Sequence, residues 1–199
     1  MKKQLKATQH KIKTSKQLPL LGEEINTMEE EPPKRHSVGI TRENILALDV
    51  ATKTGFCCYS GSGVWNFTTK KDESKGMRLI RFRAKLLEII RLLDLKLIVF
   101  EGAASYSKFP NFVGPEMQGV LKLICEEHRV DYQAYVPSSI KKFATGKGNA
   151  GKPLMIETAQ RKYNVEIIDD NHADAIHLYN LALYELGLMV PAKLKDSIF

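Results

Sequence analysis

Four acidic residues are placed where acids are unexpected. Asp49 closes the apolar run Asn44-Ile-Leu-Ala-Leu-Asp49, and Glu101 closes a second one, Lys96-Leu-Ile-Val-Phe-Glu101. Asp170 and Asp174 lie in Asp169-Asp-Asn-His-Ala-Asp-Ala175, at the start of a strongly helical stretch. A carboxylate ending a buried strand does little for solubility. It is well placed to hold a hard divalent cation, which selects oxygen ligands and is usually bound by several carboxylates together. On a helix, Asp170 and Asp174 are four apart and share a face, and Asn171, three before Asp174, shares it too. Either Asp170 or Asn171 can supply a fourth oxygen beside Asp49, Glu101 and Asp174. Crowded carboxylates raise one another's pKa, and bound Mg²⁺ or Mn²⁺ relieves the repulsion. Two ions about 4 Å apart can align an attacking water and a departing oxygen on a phosphodiester. Singly, each acid has a plainer explanation: strand-end Asp residues often serve turns, and Asp170 is a natural helix N-cap.

A second constellation is basic. Lys141, Lys142, Lys147 and Lys152 occur within twelve residues with no acid among them, around Thr145-Gly-Lys-Gly-Asn-Ala-Gly151. Such a loop can bring backbone N–H groups and lysines to phosphates. The Walker spacing is absent. Lys152, just before Pro153 at a helix start, suits a cation aimed at the scissile phosphate. After Glu101 come Tyr106, Lys108, Phe109 and Phe112. Exposed aromatics there would stack on or wedge between bases, unless Phe109 and Phe112 fold back into the core.

The elements that must position these residues follow from hydrophobic periodicity. Ile45–Val50, Gly55–Ser60 and Val64–Thr69 read as strands, the latter two joined by Ser60-Gly-Ser-Gly63 as a hairpin. A long helix over 75–94 has an apolar stripe at Met77, Ile80, Ala84, Leu87, Ile90 and Leu93. Leu97–Glu101 is a fourth strand and Tyr132–Val136 a fifth. Helices are expected over 115–129, 138–144 and 153–163, and from an N-cap at Asp170 or Asn171 to near Gly187. This order implies an α/β domain, a mixed sheet with helices on both faces. Uninterrupted apolar runs mark strands covered on both sides. If the strands ending at Asp49 and Glu101 are parallel neighbours, both acids meet at one edge, where open α/β sheets bind ligands.

The chain has 199 residues and a formal charge of +7. The charge is uneven: residues 1–16 carry six Lys and no acid, and residues 23–31 five Glu and no base. Residues 1–43 therefore read as a disordered charged extension, 44–188 as the folded domain and 189–199 as a tail. From Ile45 onward the balance is 21 basic to 17 acidic residues, so polyanion binding must rest on local patches. Cys57, Cys58 and Cys125 lack metal-ligand spacing and read as free thiols of a reducing cytoplasm. No run of about 18 apolar residues suggests a membrane span.

Taken together, these residues resemble the RuvC-type Holliday junction resolvases of the ribonuclease H-like superfamily, from about Ile45 to Leu183. Leu46-Ala-Leu-Asp49 with Thr54-Gly55 is similar to the family's first motif and Val99-Phe-Glu101 to its second. Val136-Pro-Ser-Ser-Ile-Lys-Lys142 with Thr145–Lys152 resembles its lysine-bearing segment, and His172-Ala-Asp-Ala175 its final acidic helix. The resemblance implies a ribonuclease H-like fold and an Mg²⁺-dependent endodeoxyribonuclease. It implies a homodimer that nicks opposed strands of a four-way junction, leaving 5′-phosphate and 3′-hydroxyl ends. Carried over, Asp49, Glu101 and Asp174 are metal ligands and Lys152 assists at the phosphate. The family commonly has an acid or His where this chain has Asn171, and often Pro-Gly after the first Asp. These departures point to a divergent member of viral or mobile-element kind, acting in a cytoplasm on DNA. Other readings stay open: a nuclease for flaps, forks or packaging intermediates, a silent branched-DNA-binding module, and, least favoured, an actin-like ATPase.

Overall fold

The computed structural model describes residues 39–102 and 112–189. Of the expected extension over 1–43, residues 1–38 lie outside the described residues, as do residues 190–199 of the expected tail over 189–199, and Tyr106, Lys108 and Phe109. Residues 39–43 are described: Ile40 packs against the core, and a 3-10 helix begins at Arg42, whose backbone oxygen accepts from the Tyr179 hydroxyl. A five-stranded sheet has the order β3-β2-β1-β4-β5. Its strands are β1 (Ile45–Asp49), β2 (Lys53–Cys58), β3 (Gly61–Asn66), β4 (Leu97–Glu101) and β5 (Asp131–Tyr135). β1, β4 and β5 are parallel, β2 pairs antiparallel with β1, and β3 pairs antiparallel with β2. The helices are α1 (Gly76–Leu93), α2 (Val113–His128), α3 (Pro137–Thr145), α4 (Lys152–Tyr163) and α5 (Asp170–Glu185). The mixed sheet covered on both faces is as expected.

Side chains alternate along a strand, so each strand serves two cores. Leu46, Leu48, Ile98 and Phe100 pack with Phe82, Leu86 and Ile90 of α1 and Met117, Leu121 and Ile124 of α2. Ile45, Ala47, Leu97 and Val99 pack with residues of α3, α4 and α5. The parallel register pairs Ala47 with Val99 and Leu48 with Phe100. One step on, Asp49 stands beside Glu101, and both continue the row that faces α5. The continuous apolar runs are therefore two interleaved faces, and the acids end only one of them.

Three local expectations are corrected. The hairpin turns at Tyr59–Ser60, because Cys58 already pairs with Gly61. Gly61 and Gly63 lie inside β3, and a Cβ at Gly63 would come within 3.1 Å of the Phe56 ring. On α1 the buried line is Phe82, Leu86 and Ile90, while Ile80 is exposed. The helix is apolar at so many positions that spacing alone admits two rotations. The edge-on packing of Phe67 on Phe82, ring centroids 5.4 Å apart, selects one. The α5 N-cap is Asp169, whose carboxylate accepts from His172 N, so Asp170 falls in the first helical turn. No helix among the described residues is long and apolar enough to cross a membrane.

Candidate active site

The site assembles at the end of the sheet where β1 and β4 stop and α5 starts. Gly55, opposite Asp49 on β2, faces α5 at very close range. A Cβ built there would lie 1.9 Å from the Asn171 carbonyl oxygen, so only glycine lets the first turn of α5 come down on β2. The chain between Asp49 and Gly55 is tied by Thr54. Its buried hydroxyl donates to Ala51 O at 2.6 Å. From α2, Gln118 Nε2 donates to the Glu101 backbone oxygen at 3.0 Å and anchors the end of β4.

The acids are half-buried and sense one another. Burial, then the charges of Glu101, Asp174 and Asp170, push Asp49 up to about 8. Burial and Asp174 push Glu101 up to about 7. Burial and Asp170 push Asp174 up to about 6. Asp170 behaves differently: its carboxylate is bonded by the Lys152 ammonium, which holds it below its ordinary value. Lys141 also bears on the cluster, drawing Glu101 and Asp174 downward. Lys142 and Lys147 are exposed.

Asp174 Oδ1 is buried without a hydrogen-bond partner. A buried, unpartnered carboxylate oxygen is costly. Among the described residues no three His, Cys, Asp or Glu side chains form a ready-made ion cage. The donor chemistry nevertheless suits a hard divalent cation. It offers an all-oxygen set, an orphaned oxygen, and acids whose mutual repulsion a cation would cancel. Asn171, the alternative fourth oxygen, uses its amide to donate to Lys53 O. Asp170 lies within electrostatic reach of both Asp49 and Asp174.

No family model matches the chain. A crossover junction endodeoxyribonuclease RuvC from Brachyspira hyodysenteriae is 34% identical over 61 residues, 31% of this chain and 38% of that protein. The match thus spans well under half of the curated relative's length. The structure of Thermus thermophilus RuvC superposes with a TM-score of 0.56 at 17% identity, over 72% of this chain and 96% of that one. T. thermophilus RuvC in complex with Holliday junction substrate gives 0.58 at 18% identity with the same coverage. The chain shares the fold of these RuvC structures.

Within that RuvC-type frame the structure brings Asp49, Glu101, Asp170, Asp174, Lys152 and Lys141 to one end of the sheet. Phe112 is exposed. Two residues that seat α5, His172 and Ser62, had no role assigned from the sequence. His172 is buried, accepts from Ile168 N on Nδ1 at 3.2 Å and meets Ser62 Oγ through Nε2 at 2.9 Å. Nothing in spacing marks Ser62 as its partner, since the two are 110 residues apart. The one available signal was a histidine between two candidate ligands.

Proposed function

We propose that this chain is a divalent-cation-dependent endonuclease that hydrolyses phosphodiesters of branched DNA, with the four-way junction as its substrate. The observation that carries the reading is the convergence of Asp49, Glu101, Asp174 and Asp170 at one sheet end of a RuvC-type fold, with two lysines beside them. Asp49, Glu101, Asp174 and Asp170 would hold one or two Mg²⁺ ions, with Mn²⁺ as a substitute. Such ions neutralise phosphate charge, lower the pKa of water, and hold attacking and leaving oxygens in line. Water adds to phosphorus, the bond to O3′ breaks, and the products carry a 5′-phosphate and a 3′-hydroxyl.

The protein's own groups supply the rest. Asp49 senses Glu101 on β4 and both Asp174 and Asp170 of α5, so it would be the shared ligand of the set. The Lys152 side chain is 77% exposed, and its pairing with Asp170 is a surface ion pair of small net worth. It can exchange Asp170 for a phosphate oxygen at little cost. Lys141 offsets the negative field that would otherwise repel DNA. Lys142 and Lys147 extend the phosphate track, and Tyr106 and Phe109, in the segment after Glu101, are proposed to stack on bases. Two opposed nicks in one junction need two such sites, so the working unit is a homodimer.

The test uses labelled four-way, flap and linear duplexes with Mg²⁺ or EDTA. Mg²⁺-dependent paired nicks in the four-way substrate are expected. Equal cutting of linear duplex, or junction binding with no cleavage in Mg²⁺ or Mn²⁺, would overturn the reading.

A further inference from the structure

The first turn of α5 is gripped from three sides by one hairpin. Asn171 Nδ2 donates to Lys53 O at the start of β2. The Asn171 carbonyl lies over Gly55, where no side chain intervenes. His172 reaches past both to Ser62 on β3. Because Ile168 N–H donates to His172 Nδ1, that nitrogen must be bare, and Nε2 carries the proton that it donates to Ser62 Oγ. The ring is thus fixed at both nitrogens and bridges the segment before α5 to the edge strand. Asp169 accepts from His172 N and closes the turn from inside.

Asp170 and Asp174 flank these residues and have no comparable anchor. Asp174 Oδ1 has no partner, and Asp170 touches the exposed Lys152. Where their oxygens stand is therefore set by where the backbone of residues 170–174 is held. The geometry points to His172, through Ser62, as a positioning residue that sets the α5 carboxylates at the distance from Asp49 and Glu101 that a divalent cation requires. Asn171 serves the same purpose on the other side of the turn, its Nδ2 clamping Lys53 O.

This inference rests on the cation site proposed above, but its first readout, Mn²⁺ uptake, needs no DNA. Full-length wild type, Ser62→Ala, His172→Ala and His172→Gln are titrated with Mn²⁺ while melting temperature is followed, after circular dichroism has shown each to be folded. Outer-shell partners that orient ligands are typically worth 10–100-fold in metal affinity, so His172→Ala is expected to raise the half-saturating Mn²⁺ about tenfold or more. Ser62→Ala should raise it by less. His172→Gln, whose amide can donate to Ser62, should recover part of the loss. In junction cleavage kcat should fall with KM unchanged.

Ser62→Ala also keeps the question decidable if His172→Ala does not fold. Variants that melt lower without Mn²⁺ yet keep the wild-type half-saturation and kcat would overturn the inference, leaving His172 a purely structural residue. A wild type that takes up no Mn²⁺ would overturn it together with the cation site. A wild type that takes up Mn²⁺ but cuts no junction would contradict the proposed function alone, and the titration would still decide the role of His172.

Discussion

Toward α1 and α2 the sheet presents Leu46, Leu48, Ile98 and Phe100. Toward α3, α4 and α5 the same two strands present Ile45, Ala47, Leu97 and Val99, and then Asp49 and Glu101. The first face is sealed by hydrocarbon and by an aromatic series, Phe56 on Trp65, Trp65 on Phe67, Phe67 on Phe82. The second buries Thr158, His172 and His177 and carries the acids. A face that only has to exclude water can be apolar throughout. A face that has to hold charge needs its polar groups oriented, and α5 is pinned by specific hydrogen bonds in addition to packing. The lesson is a division of work within single strands: alternate residues of β1 and β4 stabilise the fold on one side and, on the other, end in the acids of the proposed cation site.

That division can be broken most sharply at Asp49. Asp49→Asn should abolish nicking while junction affinity, measured in Ca²⁺ or EDTA, is retained; normal cutting by this variant would place the chemistry elsewhere. On the opposite face, Phe82→Ala should cost about 3–5 kcal/mol in urea unfolding, with Mn²⁺ half-saturation unchanged. A shift in ion affinity there would show that the faces are not independent. Lys152→Ala should slow cleavage more than it weakens binding. An equal loss in both would make Lys152 a phosphate anchor with no part in the reaction.

The smallest effect is one of pH. In the fold the Asp49 carboxyl is raised from 3.8 to about 8, so the folded state favours its neutral form. The associated stability is complete below the unfolded pKa and is lost as pH rises through about 8. Glu101 and Asp174, raised to about 7 and about 6, act in the same direction at lower pH. Ion-free melting temperature should therefore fall across this range, and Asp49→Asn should flatten the fall. A profile for Asp49→Asn identical to wild type would remove Asp49 from the strained set.

Much of this was legible in the chain because strands and helices carry their periodicity openly. The runs ending at Asp49 and Glu101 declared two covered strands, and register did the rest. The rotation of α1 was hidden, since its apolar residues outnumber the positions it buries, and a distant ring decided between them. The hairpin turn was misplaced because Gly61 and Gly63 look like turn residues, yet serve inside β3. Asp169 took the cap expected of its neighbours and left Asp170 beside the other acids. The Ser62–His172 bridge had no sequence signature, because a contact between remote segments exists only once the sheet has formed.

The most direct test of the site is a crystal structure of the full chain soaked in Mn²⁺, read by anomalous scattering. The expected result is a peak contacted by Asp49 together with Glu101 or Asp174, with Asn171 still bonded to Lys53. An ion bound away from Asp49, or acids left apart at saturating Mn²⁺, would contradict it.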